Sequence, residues 1–370
     1  MDLSFWEREQ WFANVDYVVV GSGIVGLHAA LRLRERFSAS KILVLERGML
    51  PQGASTKNAG FACFGSLSEI AADLKTHTAD EIRDLVQKRW TGLSLLREGL
   101  GDSEIDFRNY GGYELFTQDQ AMEYDSTIGK MTEVNDLLRP LFAEDVFVTC
   151  DNRQRFGGIT GKLIYNKFES QIDTGKMMQS LLKKAIANNI LILNRQTVTG
   201  WHETADGVTI ALGDFSFSSR KVVFATNGFA SELTGGLVRP ARAQVLITAP
   251  IPDLHIKGTY HIEQGYYYFR NIGDRILLGG GRNLSFEEET TVNFGLTQII
   301  QRKLETLLND VILPDTPHII EQRWSGIMGV GDSKKPIVKQ ISEHLYCGVR
   351  MGGMGVAIGS LTGRELADLI

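Results

Sequence analysis

The sequence predicts a two-lobed α/β fold, one lobe built on a doubly wound parallel sheet and the other mostly antiparallel α+β, and three observations carry that prediction. Near the N-terminus a β-branched run, a glycine turn, a proline-free helical stretch and a second apolar run follow one another directly, which is one βαβ unit. From Arg239 to Arg282 strand signals recur with no helix between them, the pattern of antiparallel strands. A chain of 370 residues is long for one small core and short for three domains, so two interwoven lobes are expected.

The elements follow in order. Residues 16 to 20 (DYVVV) form the first strand, which stops at Gly21; helical spacing runs to Phe37, and Lys41 to Glu46 is the second strand. After a glycine-rich loop at 53–65, Ser68 to about Leu100 reads as helices. Gly111 to Thr117 reads as a strand, 122–139 as helix, and Met177 to Asn188 as a helix leading into the strand Ile190 to Leu193. The segments TVTGWHE, GVTIAL and KVVFATN predict a small antiparallel excursion that returns to the parallel sheet. QVLITAP, GTYHI, GYYYFR and RILLGGG are four further strands, the last two joined by a hairpin turn at Asn271, Ile272, Gly273 and Asp274. A helix from about Thr290 to Asn309 and a glycine-rich loop running into a terminal helix complete the chain. No repeat or low-complexity linker separates the lobes, which are expected to comprise 1–85, 150–235 and 320–370 on one side and 86–149 and 236–319 on the other.

Gly21, Ser22, Gly23, Ile24, Val25 and Gly26 match GxGxxG between a strand and a helix. Gly21 permits the tight turn, Gly23 lets a pyrophosphate approach the backbone, and Gly26 lets the helix pack closely on the sheet. The helix N-terminus then offers free N–H groups to the phosphates. Glu46 lies 20 residues after Gly26 at the end of the second strand, where a carboxylate accepts both hydroxyls of an adenosine ribose. Gly352, Gly353 and Gly355 precede the amphipathic stretch Val356 to Ile370, so a second helix N-terminus is aimed at a group able to carry negative charge.

Other classes are disfavoured. The formal net charge is -5 and no Lys/Arg block exceeds two adjacent residues, so a nucleic-acid partner is not expected. Cys63, Cys150 and Cys347 are odd in number and form no CxxC, which suits a reducing compartment and predicts no structural metal. The N-terminus lacks the pattern of a signal peptide, and no run approaches ~18 apolar residues, so a cytoplasmic protein without an integral membrane segment is expected. Phe5, Trp6, Trp11 and Phe12 are expected to bury on the body of the protein rather than touch a membrane.

Five stretches carry a family resemblance over essentially the whole chain: VVVGSGIVGLHAA (18–30), VLERGMLPQGASTKNAGF (44–61), KVVFATNG (221–228), YYYFRNIGDRILLGGGR (266–282), and RWSGIMGVGDSKKPIV with GVRMGGMGVAIG (323–338 and 348–359). The sequence resembles the D-amino-acid oxidase-like superfamily of FAD-dependent amine and amino-acid oxidoreductases. The resemblance implies a Rossmann-like FAD-binding domain with a second, mostly antiparallel α+β substrate domain. It implies that Glu46 and Arg47 hold the adenosine end, and that Ser55, Thr56, Asn58, Ala59 and Gly60 wrap the pyrophosphate and flavin. A strand from Gln196 to Gly200 would present the backbone of Val198 to adenine. Ala225, Thr226, Asn227 and Gly228 match a turn close to the cofactor, and Gly353, Met354, Gly355 and Val356 would meet the flavin edge that becomes anionic on reduction. The implied reaction passes hydride from a carbon bearing an amine to flavin N5. The imine then hydrolyses, and oxygen or another electron acceptor reoxidises the flavin.

On the substrate side, strand alternation puts Tyr266, Tyr268 and Arg270 on one face and Tyr267 and Phe269 on the other. Two roles stay open for Arg270: a bidentate partner for a substrate carboxylate, or a donor to backbone carbonyls beside a turn. Where amino-acid oxidases place a carboxylate-binding arginine after Trp-x-Gly-Leu, this chain has Met328, and Arg350 is a candidate for a displaced guanidinium. Lys57 is a candidate neighbour of the flavin, and Cys63 and Cys347 are read as buried thiols rather than flavin attachments. A dehydrogenase passing electrons to a quinone or carrier, a non-catalytic flavin-bound sensor, and modification of a tRNA base side chain are the rival readings.

Overall fold

The computed structural model describes residues 2–370. Short α1 (Phe5–Glu7) and a π-turn lead into β1 (Val15–Val20), α2 (Ile24–Arg36), β2 (Ile42–Leu45), β3 (Phe61–Ala62), α3 (Leu67–Asp73) and α4 (Ala79–Leu100). Next come β4 (Gly112–Leu115), α5 (Ala121–Gly129), α6 (Met131–Phe142), β5 (Phe147–Cys150), β6 (Leu163–Asn166), β7 (Ser170–Gln171) and α7 (Thr174–Ala187). The strands β8 (Leu191–Leu193), β9 (Gly200–Thr204), β10 (Gly207–Leu212), β11 (Phe215–Phe224), β12 (Arg239–Thr248), β13 (Thr259–Ile262), β14 (Tyr267–Ile272) and β15 (Arg275–Gly280) follow. The chain ends with α8 (Gln298–Leu307), β16 (Ile320–Val330), β17 (Ile337–Gln340), β18 (Leu345–Val349) and α9 (Gly355–Asp368).

The first sheet has the order β17-β18-β11-β1-β2-β8, with β1 parallel to both β2 and β11 and β2 parallel to β8. Its central strands read as near-continuous apolar runs because both faces are covered. Tyr17, Val19, Ile42 and Val44 pack under the helices, while Val18, Leu43 and Leu45 pack under the antiparallel excursion β9-β10-β11. That excursion and its return to the parallel sheet are as the sequence predicts. α2 and α9 lie in direct backbone contact: a side chain at Gly363 would stand 2.5 Å from the Val25 carbonyl oxygen, and one at Gly92 on α4 would overlap the Ala357 carbonyl of α9.

His28 is sealed between these helices, its Nδ1 2.8 Å from the Ile24 carbonyl oxygen, and burial pushes it down to about 4. A base held neutral in the fold takes up its proton near its ordinary value of ~6.5 once unfolded, so stability falls as pH drops through that window. Urea denaturation is expected to show wild type losing roughly 2–3 kcal/mol more than His28→Gln between neutral pH and ~4.5; parallel curves would remove the assignment.

The second sheet runs β16-β12-β15-β14-β13-β4-β6-β5, antiparallel except where β13 meets β4. One face buries Tyr260, Tyr267 and Phe269 against Leu304 and Leu308 at α8 and its π-turn. The other face looks toward the first lobe. Together the two sheets give the α/β architecture expected. Their membership divides the chain differently from the sequence-based lobes: β6 (Leu163–Asn166) and β16 (Ile320–Val330) lie in the second sheet, while α4 packs on α9. Strand alternation is the same in either sheet, and the pairing of β6 with β4 and of β16 along β12 from Val330 to Ile320 decides where each belongs.

Several local expectations change. The helix expected from Thr290 starts at Gln298, because Glu289 is fully buried and accepts from Arg242 (2.8 Å), Gln244 (3.0 Å) and the Thr297 hydroxyl, holding 289–297 as irregular backbone. Residues 196–199 are irregular, and only Gly200 of the expected strand lies in β9. Of the N-terminal aromatics, Phe12 is buried against Phe215 and Phe217, but Phe5 and Trp6 are 66% and 70% exposed. No helix among the described residues is long and apolar enough to cross a membrane.

Candidate active site

The C-terminal ends of β1, β2 and β11 converge on the N-terminus of α2. Gly21 adopts φ 105°, and a Cβ there would stand 2.9 Å from the Ala225 carbonyl oxygen; a Cβ at Gly26 would overlap the Gly21 carbonyl. Gly23 caps α2 with extended backbone and no side chain, and the Ile24 N–H donates to Ser55 Oγ at 3.0 Å. Glu46 is buried; one oxygen accepts from Ser22 N–H (3.2 Å) and Oγ (2.8 Å), the other from Gly48 N–H (2.9 Å). Arg47 stacks over the Phe229 ring at 3.8 Å, and burial holds its pKa below the usual value. Val198 is half-buried nearby, and its backbone groups have no partner among the described residues, whereas Gln196 N–H donates to the Glu46 carbonyl at 2.9 Å.

Loop 53–60 folds over this crevice. Thr56 Oγ1 donates to the Pro51 carbonyl at 2.6 Å. Asn58 donates to the Ser55 carbonyl (2.9 Å) and accepts from Gly60 N–H and Thr174 Oγ1 (both 2.9 Å), which fixes the loop against α7. Asn227, at φ 44°, accepts from Arg350 N–H (3.0 Å) and Met351 N–H (3.1 Å), so the Thr226–Gly228 turn anchors the C-terminal glycine loop. That loop delivers α9 with Met354 as a cap whose side chain makes no hydrogen bond to the helix, open space at Gly352, and the buried Val356 in its first turn. Met354 Sδ accepts from the Cys63 thiol at 3.8 Å.

Register on the second sheet sets one row of residues against this crevice: Glu114, His261, Tyr268, Gly279, Val245 and Trp324, across β4, β13, β14, β15, β12 and β16. Trp324 Nε1 donates to the Lys57 carbonyl at 3.0 Å, and Phe61 packs edge-on against His261 (5.3 Å) and Tyr268 (5.5 Å). Burial pushes the Tyr268 phenol up to about 12. Gly279 has no side chain because the Tyr268 ring fills its place, and the Lys57 stem crosses Gly326 in the same way.

The sequence candidates do not all meet here. Tyr268 stands in the row. Tyr266 lies outside β14, 43% exposed, packed edge-on to Phe286. Arg270 is buried, but its Nε donates to the Ala59 carbonyl and its Nη2 to the Ile172 carbonyl at 2.9 Å, so backbone oxygens hold its fork, and burial lowers it to about 10. Arg350 has φ 68°, and its Nε donates to the Lys335 carbonyl at 3.0 Å, directing it over Gly331 and away from the row. The displaced-guanidinium role expected of it has no support in this geometry.

Sequence reasoning missed a buried polar pair. Glu169 Oε1 is 2.6 Å from His261 Nε2 and accepts from Thr259 Oγ1 at 2.8 Å. Burial alone would lower His261, but the Glu169 carboxylate, with Glu114 and Glu69 behind it, holds it above its ordinary value. Cys63 Sγ completes a trio whose ligand-type atoms lie within 4.8 Å of one another. Because Nε2 and Oε1 are already hydrogen-bonded and burial pushes the thiol well above its usual range, the trio reads as a bonded pair beside a protonated thiol. The alternation in GTYHI places Thr259 and His261 on one face; nothing local points to Glu169, 92 residues away.

These features suit a flavin dinucleotide: a buried carboxylate at the end of β2, a helix N-terminus with a bare glycine cap, and a second uncapped helix N-terminus facing the same crevice. The chain is 20% identical over 377 residues to a probable oxidoreductase, OrdL, of Haemophilus influenzae, covering 96% of this chain and 83% of that one. It is 23% identical over 389 residues to the gamma-glutamylputrescine oxidoreductase of Escherichia coli, with the same coverage. The fold is similar to that of glycine oxidase from Geobacillus kaustophilus, with a TM-score of 0.75 at 19% identity over 96% of this chain and 94% of that one. Residues 16–369 match the family described as FAD dependent oxidoreductase (DAO), so the chain belongs to that family and its cofactor is FAD.

Proposed function

We propose that this protein oxidises the C–N bond of an amine or amino acid by hydride transfer to flavin N5, with hydrolysis of the imine and reoxidation by oxygen. The observation that carries this reading is the row Glu114–His261–Tyr268–Gly279–Val245–Trp324 set against the crevice, a floor on which a small substrate would be held. Bound FAD supplies the two-electron acceptor. The turn from Gly21 to Gly26 and the α2 N-terminus would hold the diphosphate, Glu46 would accept the ribose hydroxyls with Arg47 beside it, and the Val198 backbone would meet adenine. Ser55, Thr56, Asn58, Ala59 and Gly60, with Ala225 to Gly228, shape the flavin's seat. The N–H groups of Gly353, Gly355 and Val356, which have no partner among the described residues, would stabilise charge at its pyrimidine edge, with Met354 between them turned back to the Met351 carbonyl. Phe61, Tyr268 and Trp324 exclude water from the reacting carbon.

Met328 supports an amine over an amino acid, since no guanidinium stands where a carboxylate clamp would be needed. The gamma-glutamylputrescine oxidoreductase among its relatives points the same way. An anaerobic titration against polyamines, sarcosine, glycine, proline and D-amino acids is expected to bleach the flavin bands with amines first. Bands that survive every compound would refute the reaction, and a reduced flavin that persists in air would replace oxygen with a carrier. Glu46→Gln is expected to weaken FAD binding about tenfold or more, because it loses a charge-assisted acceptor; unchanged affinity by fluorescence titration would remove Glu46 from the ribose.

A further inference from the structure

We propose that His261 takes the proton from the substrate's ammonium group and that Glu169 is the residue that positions it, an inference that rests on the amine-oxidising reading above. Hydride leaves a carbon readily only when the neighbouring nitrogen has a free electron pair, and an ammonium has none. At neutral pH an amine arrives protonated, and the apolar cluster of Phe61, Tyr268 and Trp324 beside His261 would, on that reading, exclude the water that otherwise accepts the proton. The acceptor must therefore belong to the protein.

The other titratable groups facing His261 are each committed elsewhere. From β14, Tyr268 is a phenol kept protonated by burial. From β4, Glu114 accepts from Ser66 Oγ (3.0 Å), Ser68 N–H (3.1 Å) and Ser68 Oγ. Beyond it on α3, Glu69 is paired with Lys334 (2.9 Å) and Arg89 (3.6 Å). After β3, Cys63 is a buried thiol turned to Met354. His261 alone carries the base-and-orienter arrangement: Nε2 is held by Glu169, which Thr259 anchors, so the proton of the neutral ring sits on Nε2 and the lone pair on Nδ1. Nδ1 has no hydrogen-bond partner among the described residues and faces the turn before β14, 3.9 Å from where a Cβ at Gly265 would stand. The step balances without electron transfer: one N–H bond of the ammonium breaks, its electron pair stays on nitrogen, and the proton binds Nδ1 to give an imidazolium paired with the Glu169 carboxylate.

The test is anaerobic stopped-flow reduction of the holoenzyme by an amine found active above, from about pH 6 to about pH 10, with ¹⁵N-histidine spectra of the same holoenzyme without substrate. A proton on His261 blocks the step, so the reduction rate is expected to rise with pH along a limb above the ordinary histidine value. Glu169→Gln should move that limb, and the His261 titration seen by NMR, to lower pH. His261→Asn should abolish the limb and slow reduction at neutral pH about 100-fold. Reduction by His261→Asn within threefold of wild type on the same limb would overturn this proposal alone, as would a His261 resonance titrating at or below its ordinary value in wild type and unmoved by Glu169→Gln. Stoichiometric zinc in the holoenzyme would overturn it too. Absence of reduction by any amine would overturn the amine-oxidising reading and this proposal with it.

Discussion

Gly26→Ala is expected to yield a protein that no longer retains FAD through gel filtration and melts several degrees lower. The added methyl would overlap the carbonyl oxygen of Gly21 and come within 3.3 Å of the Ala225 side chain, so relief requires α2 to back away from the β1 turn. α2 is not free to move: it is bound to α9 by contacts in which Gly359 and Gly363 admit no side chain, and it carries the sealed His28. Overpacking of this kind costs ~1–3 kcal/mol, and here the strain falls on the loop proposed to present its N–H groups to the diphosphate. Loss of FAD should therefore exceed the loss of stability. A variant that keeps FAD with an unchanged melting temperature would show that α2 does not need its close approach.

Arg270→Ala is expected to lower stability by about 3 kcal/mol or more and to weaken FAD retention, with little change in the KM of whatever FAD-loaded protein survives. The substitution deletes a buried side chain and strands the carbonyls of Ala59 and Ile172, two acceptors from different parts of the first lobe. Ala59 belongs to the loop that folds over the crevice and is proposed to seat the flavin, so on that reading its release reaches the cofactor before it reaches any substrate. A carboxylate-binding role predicts the reverse: KM raised by a large factor for acidic substrates and a melting curve left in place. Thermal denaturation with steady-state kinetics on the same preparation separates the two. The neighbouring His261 remains available to the reaction in either case.

Both substitutions show where the sequence was legible. The βαβ unit, the glycine spacing and Glu46 were readable because each depends on backbone sterics and strand ends within a single 30-residue stretch. The row on the second sheet was half readable: alternation placed Tyr268 and Arg270 on one face of their strand, while the register that sets His261 opposite Tyr268 came only with the sheet. It did not reveal what each side chain meets. Arg270 finds Ala59 and Ile172, separated from it by 211 and 98 residues, and Arg350 is turned outward by a left-handed backbone that no local pattern announces. The late start of α8 has the same origin, since Glu289 is held by Arg242 and Gln244 from β12.

What the sequence determined by itself is the βαβ unit with its glycine turn and the two kinds of sheet, because strand, turn and helix signals act over a few residues. What only the tertiary structure decided is which polar groups are free to act on a substrate. Arg270 is taken by backbone carbonyls, while His261 is bound to Glu169 through one nitrogen and left with the other. Such choices follow from sheet register and close packing between segments far apart in the chain, and desolvation then makes each buried charge find its partner there.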